Sequence, residues 1–519
     1  MSLSRKEFLN LAALGALGSV NVGAAARASA SSEREAALTP VEQKGKQIIG
    51  TTAAVVDFIV GADVRAFPHD VTEMGKRCLI DGFGVVLGGS TVRGSAIVRE
   101  YVKTATDKPE ASVLGPEPIG ASAALAALAN GASGHAMDWD DTQLSTTPDR
   151  TYGLLTHPTV PALAAALAVS ERVAASGAQF LEAFLVGCEV ECKVAEAIAP
   201  DHYLRGYHTT GTIGTFGAAA AAAKLMKLEK PQVAHMLAIA SSLGAGIRVN
   251  FGSMTKPLHA GRAAQNGVFA ADMAARGFTG GTDGLDGEWG YFQVCGWGAD
   301  ISRIIGTLGN PHTIVNPGVS IKPYPCGVLS HPSMDALLVV VTENDITPDQ
   351  VKSIRLRAGS NILEPLRYKI AKTELEAKFC LPFLLSSIVL RRRAGIREFT
   401  DEFVSSDPVQ RMMRLVETVQ DREIEAMGFE KIRSVVELET VDGRRFVKRS
   451  DDRYRGGPDR PFTRAELHDK FTDCAGLLLA PDRMRAALEL IESTERLKDV
   501  RELTRALAVS EGKRSNARG

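Results

Sequence analysis

The sequence predicts a mostly α protein: a large all-helical domain interrupted by a smaller α+β lid domain. Three observations carry this expectation. Helical apolar spacing dominates from about residue 50 to 315 and returns after 455, whereas strand signals are confined to 351–448. Alanine and glycine are abundant and aromatic residues make up only 6%, which suits closely packed helices better than an aromatic-rich sheet. At 519 residues the chain is also too long for one ordinary core, so more than one packed unit is expected.

The first thirty residues stand apart. Ser4-Arg5-Lys6-Glu7-Phe8-Leu9 precedes a weakly apolar run that ends in Ala28-Ser29-Ala30. A basic start, a modest apolar stretch and an A-x-A exit make an export signal over 1–30. The order resembles a twin-arginine signal, with Lys6 where the second arginine usually stands. A periplasmic or exported location is expected, or a cytoplasmic one if the leader is unused. The apolar run is too short to span a membrane.

The first part of the helical domain is expected over 45–318. Helices are predicted at 71–87, 121–136, 161–173, 179–199, 210–226, 233–243 and 263–275. Asp70 is a candidate N-cap for the first, with Glu73 completing a capping box. Character changes near Pro317, and the lid is expected over 319–454. It carries a strand at 351–358 and a hairpin whose strands, 434–438 and 445–448, flank Asp442-Gly443. Helices at 374–390 and 408–415 lie between them. The C-terminal part of the helical domain, 455–505, holds helices at 463–475 and 481–491.

Charge excludes several partners. Sixty basic and 61 acidic residues are interspersed, for a net charge of −1. No basic stripe stands ready for nucleic acid or an anionic membrane. The seven cysteines include no CxxC pair, so neither a zinc nor an iron–sulfur site is expected. Cys188 and Cys192, one helical turn apart, read as buried free thiols.

Five constellations carry the chemistry. In Gly134-His135-Ala136-Met137-Asp138-Trp139-Asp140-Asp141-Thr142, three carboxylates fall within four residues and are costly to bury unless partnered. A metal site, a phosphatase nucleophile, a terpene-cyclase acid motif and a solvated acidic helix end compete as readings. The first lacks a matching ligand cluster, the second a preceding strand, and the third an aromatic-rich chain. Thr156-His157-Pro158 places an imidazole just before a helix N-terminus, where an anion is favoured. The run from Gly206 to Gly217, containing Tyr207-His208-Thr209-Thr210, spaces its glycines for close helix approach. Thr255-Lys256-Pro257-Leu258-His259 puts a lysine beside a helix-opening proline. Lys322-Pro323-Tyr324-Pro325-Cys326 lies at the proposed domain junction, held extended by its prolines.

Taken in order (G-H-x-x-D-x-D-D-T, T-H-P, Y-H-x-T-G-T-x-G-T-F-G, T-K-P-L-H-x-G, K-x-Y-P) these motifs resemble the MmgE/PrpD family of 2-methylcitrate dehydratases and cis-aconitate decarboxylases, over about residues 45–490. The resemblance implies a helical domain built from both ends of the chain, with an α+β lid between. It further implies a homodimer, no metal or organic cofactor, and a lyase for a small di- or tricarboxylic acid, foremost a hydro-lyase. An epimerase, a decarboxylase or a non-catalytic binder of organic acids are its alternatives. The implied catalytic residues are Asp138, His157, His208, Lys256 and Lys322, with Thr142 and His259 joining the two lysines in substrate binding.

Roles for these residues follow from their chemistry. The lysines would hold carboxylates and stabilise an enolate-like carbanion. The imidazoles are the general acid and base, and Asp138 would orient one of them. Two departures qualify the resemblance. Phe383 stands where a similar lid motif often has tyrosine, and the stretch between Thr142 and His157 is longer than in the short form of the decarboxylases.

Overall fold

The computed structural model describes residues 48–106, 108–147, 156–428 and 431–509. The proposed leader and the middle of the long stretch between Thr142 and His157 lie outside these. Helices Thr51–Gly61 (α1), His69–Gly89 (α2), Arg93–Ala105 (α3) and Ala123–His135 (α4) come first. Thr159–Val173 (α5), Gly177–Ile198 (α6), Gly214–Met226 (α7), Lys230–Leu243 (α8) and Thr255–Ala275 (α9) follow. Helix α9 lies against α4 and α7, and α7 in turn packs on α5 and α6. Small residues allow these approaches: a Cβ on Gly131 would come within 2.9 Å of the Gly261 Cα, and one on Gly187 within 2.7 Å of the Gly217 carbonyl oxygen. Alanine and glycine therefore build the core by letting helix backbones close up rather than by filling space.

One hydrophobic core gathers apolar residues from Ile48 to Ile321 and again from Phe462 to Leu507. The returning chain is Arg464–Ala475, which packs on α2, followed by Pro481–Glu492 and Arg501–Leu507. A buried ion pair fastens that return: Lys470 Nζ lies 2.5 Å from Asp81 and donates to the Trp139 carbonyl at 2.7 Å. A second core holds apolar residues from Tyr324 to Tyr454, together with Leu144 and Phe251.

The second core forms under a four-stranded sheet. Val351–Ala358 (β1) pairs in parallel with Val416–Gln420 (β2) and antiparallel with Ser434–Thr440 (β3), which pairs with Arg445–Arg449 (β4). Strand β3 alternates buried and half-buried residues, so Val436 and Leu438 face the core. Helix His331–Glu343 covers β3 and β4, and Leu381–Arg391 lies beside it against β2. Gly443 takes a φ of 88° in the hairpin turn, as Asp-Gly predicts.

Three local expectations are corrected, and one strand is added. Helix α2 begins at His69, so Asp70 lies inside its first turn and accepts from the Val71 amide instead of capping with Glu73. The helix expected at 374–390 is split into Glu374–Ala377 and Leu381–Arg391, because Pro382 opens a new first turn and Cys380 bridges to Arg367. That expected from 210 is split likewise, into Thr209–Thr212 and α7. Strand β2 went unread: it is short, half-exposed and sits at the sheet edge, where apolar alternation is weakest. No helix among the described residues is long and apolar enough to cross a membrane.

Candidate active site

The C-terminal end of α4 starts the site. The helix stops at His135, and three residues on Asp138 adopts a left-handed conformation with φ 53°. A non-glycine residue rarely sits there, and such residues cluster at functional sites. Asp138 is 4% exposed, and Asp140 and Asp141 are fully buried. The solvated acidic helix end is thereby overturned, because all three carboxylates are inside.

Each carboxylate has its own partners. Asp138 Oδ1 accepts from Lys256 Nζ at 2.9 Å and from Lys322 Nζ at 2.8 Å. Lys322 also donates to the Asp138 carbonyl at 2.8 Å. Burial opposes ionisation of Asp138, but the two ammoniums outweigh it and hold the carboxyl well below its usual range. Asp138 therefore positions lysines, and the expectation that it orients an imidazole is corrected. Asp140 has that task, both of its oxygens lying within 2.9 Å of His135 Nδ1. It also lies 3.4 Å from His157 Nδ1. Asp141 caps α5, accepting from the Thr159 amide at 3.2 Å and hydroxyl at 2.7 Å. Burial, with Asp81 and Asp140 adding to it and the Thr159 hydrogen bonds opposing, raises its carboxyl to about 7.

Hydrogen bonding assigns most of the imidazole protons. His135 directs its Nδ1–H at the Asp140 carboxylate, which leaves Nε2 as the acceptor for Lys256 Nζ at 2.8 Å. His157 Nδ1 faces the Asp141 carbonyl at 2.7 Å. A carbonyl only accepts, so Nδ1 carries the proton and Nε2 has the free lone pair. Burial, with the nearby lysines, pushes His157 well below the ordinary histidine value despite Asp140, so it is neutral at pH 7. His208 opens the short helix Thr209–Thr212, and its Nδ1 lies 3.0 Å from His259 Nδ1. Two ring nitrogens at that distance share a single proton, so His259 sets the tautomer of His208. His208 Nε2 is buried and has no hydrogen-bond partner among the described residues.

Lys256 lies in the first turn of α9, and Lys322 sits where the chain passes into the second core. Burial leads the lowering of the Lys256 pKa, with Lys322 adding to it and Asp138 opposing. A reciprocal backbone pair between Thr142 and Ser320, at 2.9 and 2.8 Å, ties the segments that carry Asp138 and Lys322.

Asp138, His157, His208, Lys256 and Lys322 converge on one cavity. Two sequence-predicted residues do not reach it. Thr142 directs its hydroxyl at the Thr156 carbonyl, 3.1 Å away, and serves as a structural tie. His259 stands behind His208. Phe383 is fully buried against Phe399, away from the cavity, so no acid acts from that position.

Two polar residues escaped sequence reasoning, His135 and Asp140. Both stand inside the quoted motif, but only the turn after α4 reveals that they pair. The apolar lining, drawn from Tyr203, Phe251 and the lid, comes from scattered segments that carry no motif.

His135, His157 and His208 bring ring nitrogens within 4.8 Å of one another, as His135, Asp138 and Asp140 do with their donor atoms. Such sets have the chemistry of metal ligands. Here the Lys256 ammonium already takes up His135 Nε2 and Asp138 Oδ1, and it would repel a second cation.

Comparisons with known proteins agree with this architecture. Residues 53–304 match the MmgE/PrpD N-terminal domain and residues 324–496 the C-terminal domain. The human cis-aconitate decarboxylase is 27% identical over 464 residues, 88% of this chain and 94% of its own. The mouse cis-aconitate decarboxylase is 26% identical over 470 residues, 88% of this chain and 93% of its own. A cis-aconitate decarboxylase-like protein of Aspergillus oryzae is 27% identical over 248 residues, covering 46% of this chain and 50% of its own. With both domain models matched in order across most of its length, the chain belongs to the MmgE/PrpD family.

Proposed function

We propose that the protein is a lyase for a small di- or tricarboxylic acid, with a carboxylate-stabilised carbanion as its intermediate and carbon dioxide as its leaving group. One observation carries the reading. Two buried ammoniums, Lys256 and Lys322, meet at a single carboxylate oxygen in a cavity that also presents the imidazoles of His157 and His208. The names of the human and mouse relatives, cis-aconitate decarboxylases, support carbon dioxide as the group that departs.

The lysines bind the substrate carboxylate adjacent to the reacting carbon. As the bond to the departing carboxylate breaks, its electron pair enters the chain and charge collects on the held oxygens, where the ammoniums stabilise it. A proton from His208 Nε2 completes the carbon while the Nδ1–H of His259 supports the ring at its Nδ1, and solvent returns a proton to Nε2 once the product has left. In a dehydration the same groups act in another order: His157 Nε2 takes the alpha proton and hydroxide leaves the beta carbon. A homodimer exported by its leader is proposed alongside; light scattering and fractionation of cells making the full chain test these.

The deciding experiment is proton NMR of the protein in deuterium oxide with cis-aconitate and 2-methylcitrate. Loss of carbon dioxide with one deuterium gained is expected, and His157→Ala or His208→Ala should slow it by orders of magnitude. Loss of water alone assigns a dehydratase, and exchange alone an isomerase. Binding with neither exchange nor turnover would leave a non-catalytic binder and remove the lyase reading.

A further inference from the structure

We propose that the Thr209 hydroxyl is a substrate contact, donating to a carboxylate that the two lysines leave unmatched. This rests on the lyase reading above and adds a binding residue to the same site.

Charge sets the need for such a contact. Lys256 and Lys322 share the single carboxylate of Asp138, and burial keeps His157 and His208 neutral. One net positive charge remains in the cavity, enough to match one substrate carboxylate. A second must be held by neutral donors, or the hydration it loses goes unreplaced. Among the described residues, the cavity lining carries hydroxyl groups on Thr156, Tyr203, Thr209 and Thr210.

Three of these four residues are engaged with the protein. Thr156 donates its hydroxyl to Glu191. Thr210 accepts from the His157 amide at 3.1 Å and so supports that imidazole. Tyr203 lies with its ring under the Arg248 guanidinium, 4.0 Å from the centroid, and its carbonyl accepts from Arg248 Nη1 at 3.1 Å.

Thr209 differs. It is 5% exposed, yet its hydroxyl oxygen has no hydrogen-bond partner among the described residues. Its carbonyl takes the Ile213 amide at 2.7 Å and the Thr212 hydroxyl at 3.1 Å, so the backbone is fixed while the side chain is unclaimed. A buried hydroxyl without a partner destabilises a protein, and a ligand that pairs it removes that penalty. In the Y-H-x-T-G-T stretch Thr209 occupies the open position, so the motif itself gives it no role. It directly follows His208, whose Nε2 is likewise buried and unpartnered among the described residues. A ligand held by the lysines through one carboxylate and by Thr209 through another is thus brought to the imidazole that delivers the proton.

The test titrates tricarballylate, a saturated tricarboxylate, into the wild-type protein, Thr209→Val and Thr209→Ser by calorimetry. Valine keeps the shape and loses the hydroxyl. We expect Kd to rise about ten- to a hundredfold in Thr209→Val, the range for a hydrogen bond to a charged group, and Thr209→Ser to restore it. The ligand-free Tm of Thr209→Val should equal or exceed that of the wild type, because the hydroxyl has no partner to lose. A structural role would lower it instead. The assignment is overturned if Thr209→Val binds like the wild type, if its weaker binding comes with a lower Tm, or if serine binds no better than valine. It is overturned as well if the wild type does not bind tricarballylate. Carbon dioxide release from cis-aconitate is followed separately. If the wild type releases none, the lyase reading falls, and the titrations still decide whether Thr209 holds a carboxylate.

Discussion

Asp138→Asn exchanges a carboxylate for a neutral amide of nearly the same shape, so its effect is almost purely electrostatic. The lost group is the shared counter-ion of Lys256 and Lys322, bound at 2.9 and 2.8 Å with the lysines 5% and 1% exposed. Removing one partner from a buried ion pair costs about 3–5 kcal/mol, because the remaining charge is left uncompensated. For a chain of this length the unfolding entropy near 60 °C is about 1.1 kcal/mol per degree. We therefore predict a fall in Tm of about 3–5 °C, measured by calorimetry.

The same loss should help a ligand bind. In the native protein a substrate carboxylate competes with Asp138 for the ammoniums, and in the variant it does not. A non-reacting dicarboxylate should thus bind the variant more tightly; a tenfold gain adds about 1.4 kcal/mol of stabilisation. The gap between the proteins should be constant from pH 5 to 8. Because the folded carboxyl is held below its usual value, its contribution is complete above about pH 4 and is lost as pH falls through the depressed pKa. An unchanged Tm, or a dicarboxylate that stabilises the native protein but not the variant, would refute the shared counter-ion.

Four further outcomes are expected. His157→Ala should lower kcat by about 10²–10⁴-fold, the usual contribution of a positioned acid or base, with the far-ultraviolet circular dichroism unchanged. In the native protein the acid limb of kcat/KM should lie below the ordinary histidine value near 6.5, because burial lowers both His157 and His208; a limb above 7 would exclude both as the titrating groups. Asp141 should contribute stability that is full near pH 4 and lost as pH rises to its raised value of about 7. Asp141→Asn should remove that part of the pH dependence of Tm, and a superimposable profile would argue against a buried neutral carboxyl. Lys470→Met strips the cation from Asp81 and should cost about 3–5 kcal/mol, read as early melting of the packing between Arg464–Ala475 and α2.

The residues themselves determined a good deal. Short-range patterns placed α4 to α9, β1 and the β3–β4 hairpin, because apolar spacing, proline and Asp-Gly act within a few residues. The Asp70 cap failed at that same range, since His69 joined the helix. The series of motifs also singled out Asp138, His157, His208, Lys256 and Lys322 as parts of one site. Their roles were another matter. Asp138 and Asp140 are two residues apart and equally acidic, yet the left-handed turn at Asp138 sends one to the lysines and leaves the other with His135. Thr142 and His259 belong to the same motifs and still stand outside the cavity. No motif marked Val328, Leu329, Leu366 or Phe379, which read as ordinary core residues until the lid brings them opposite the lysines. Sequence records which groups are available; only the tertiary structure decides which are buried together, and burial sets both the charge of an imidazole and the value of an ammonium.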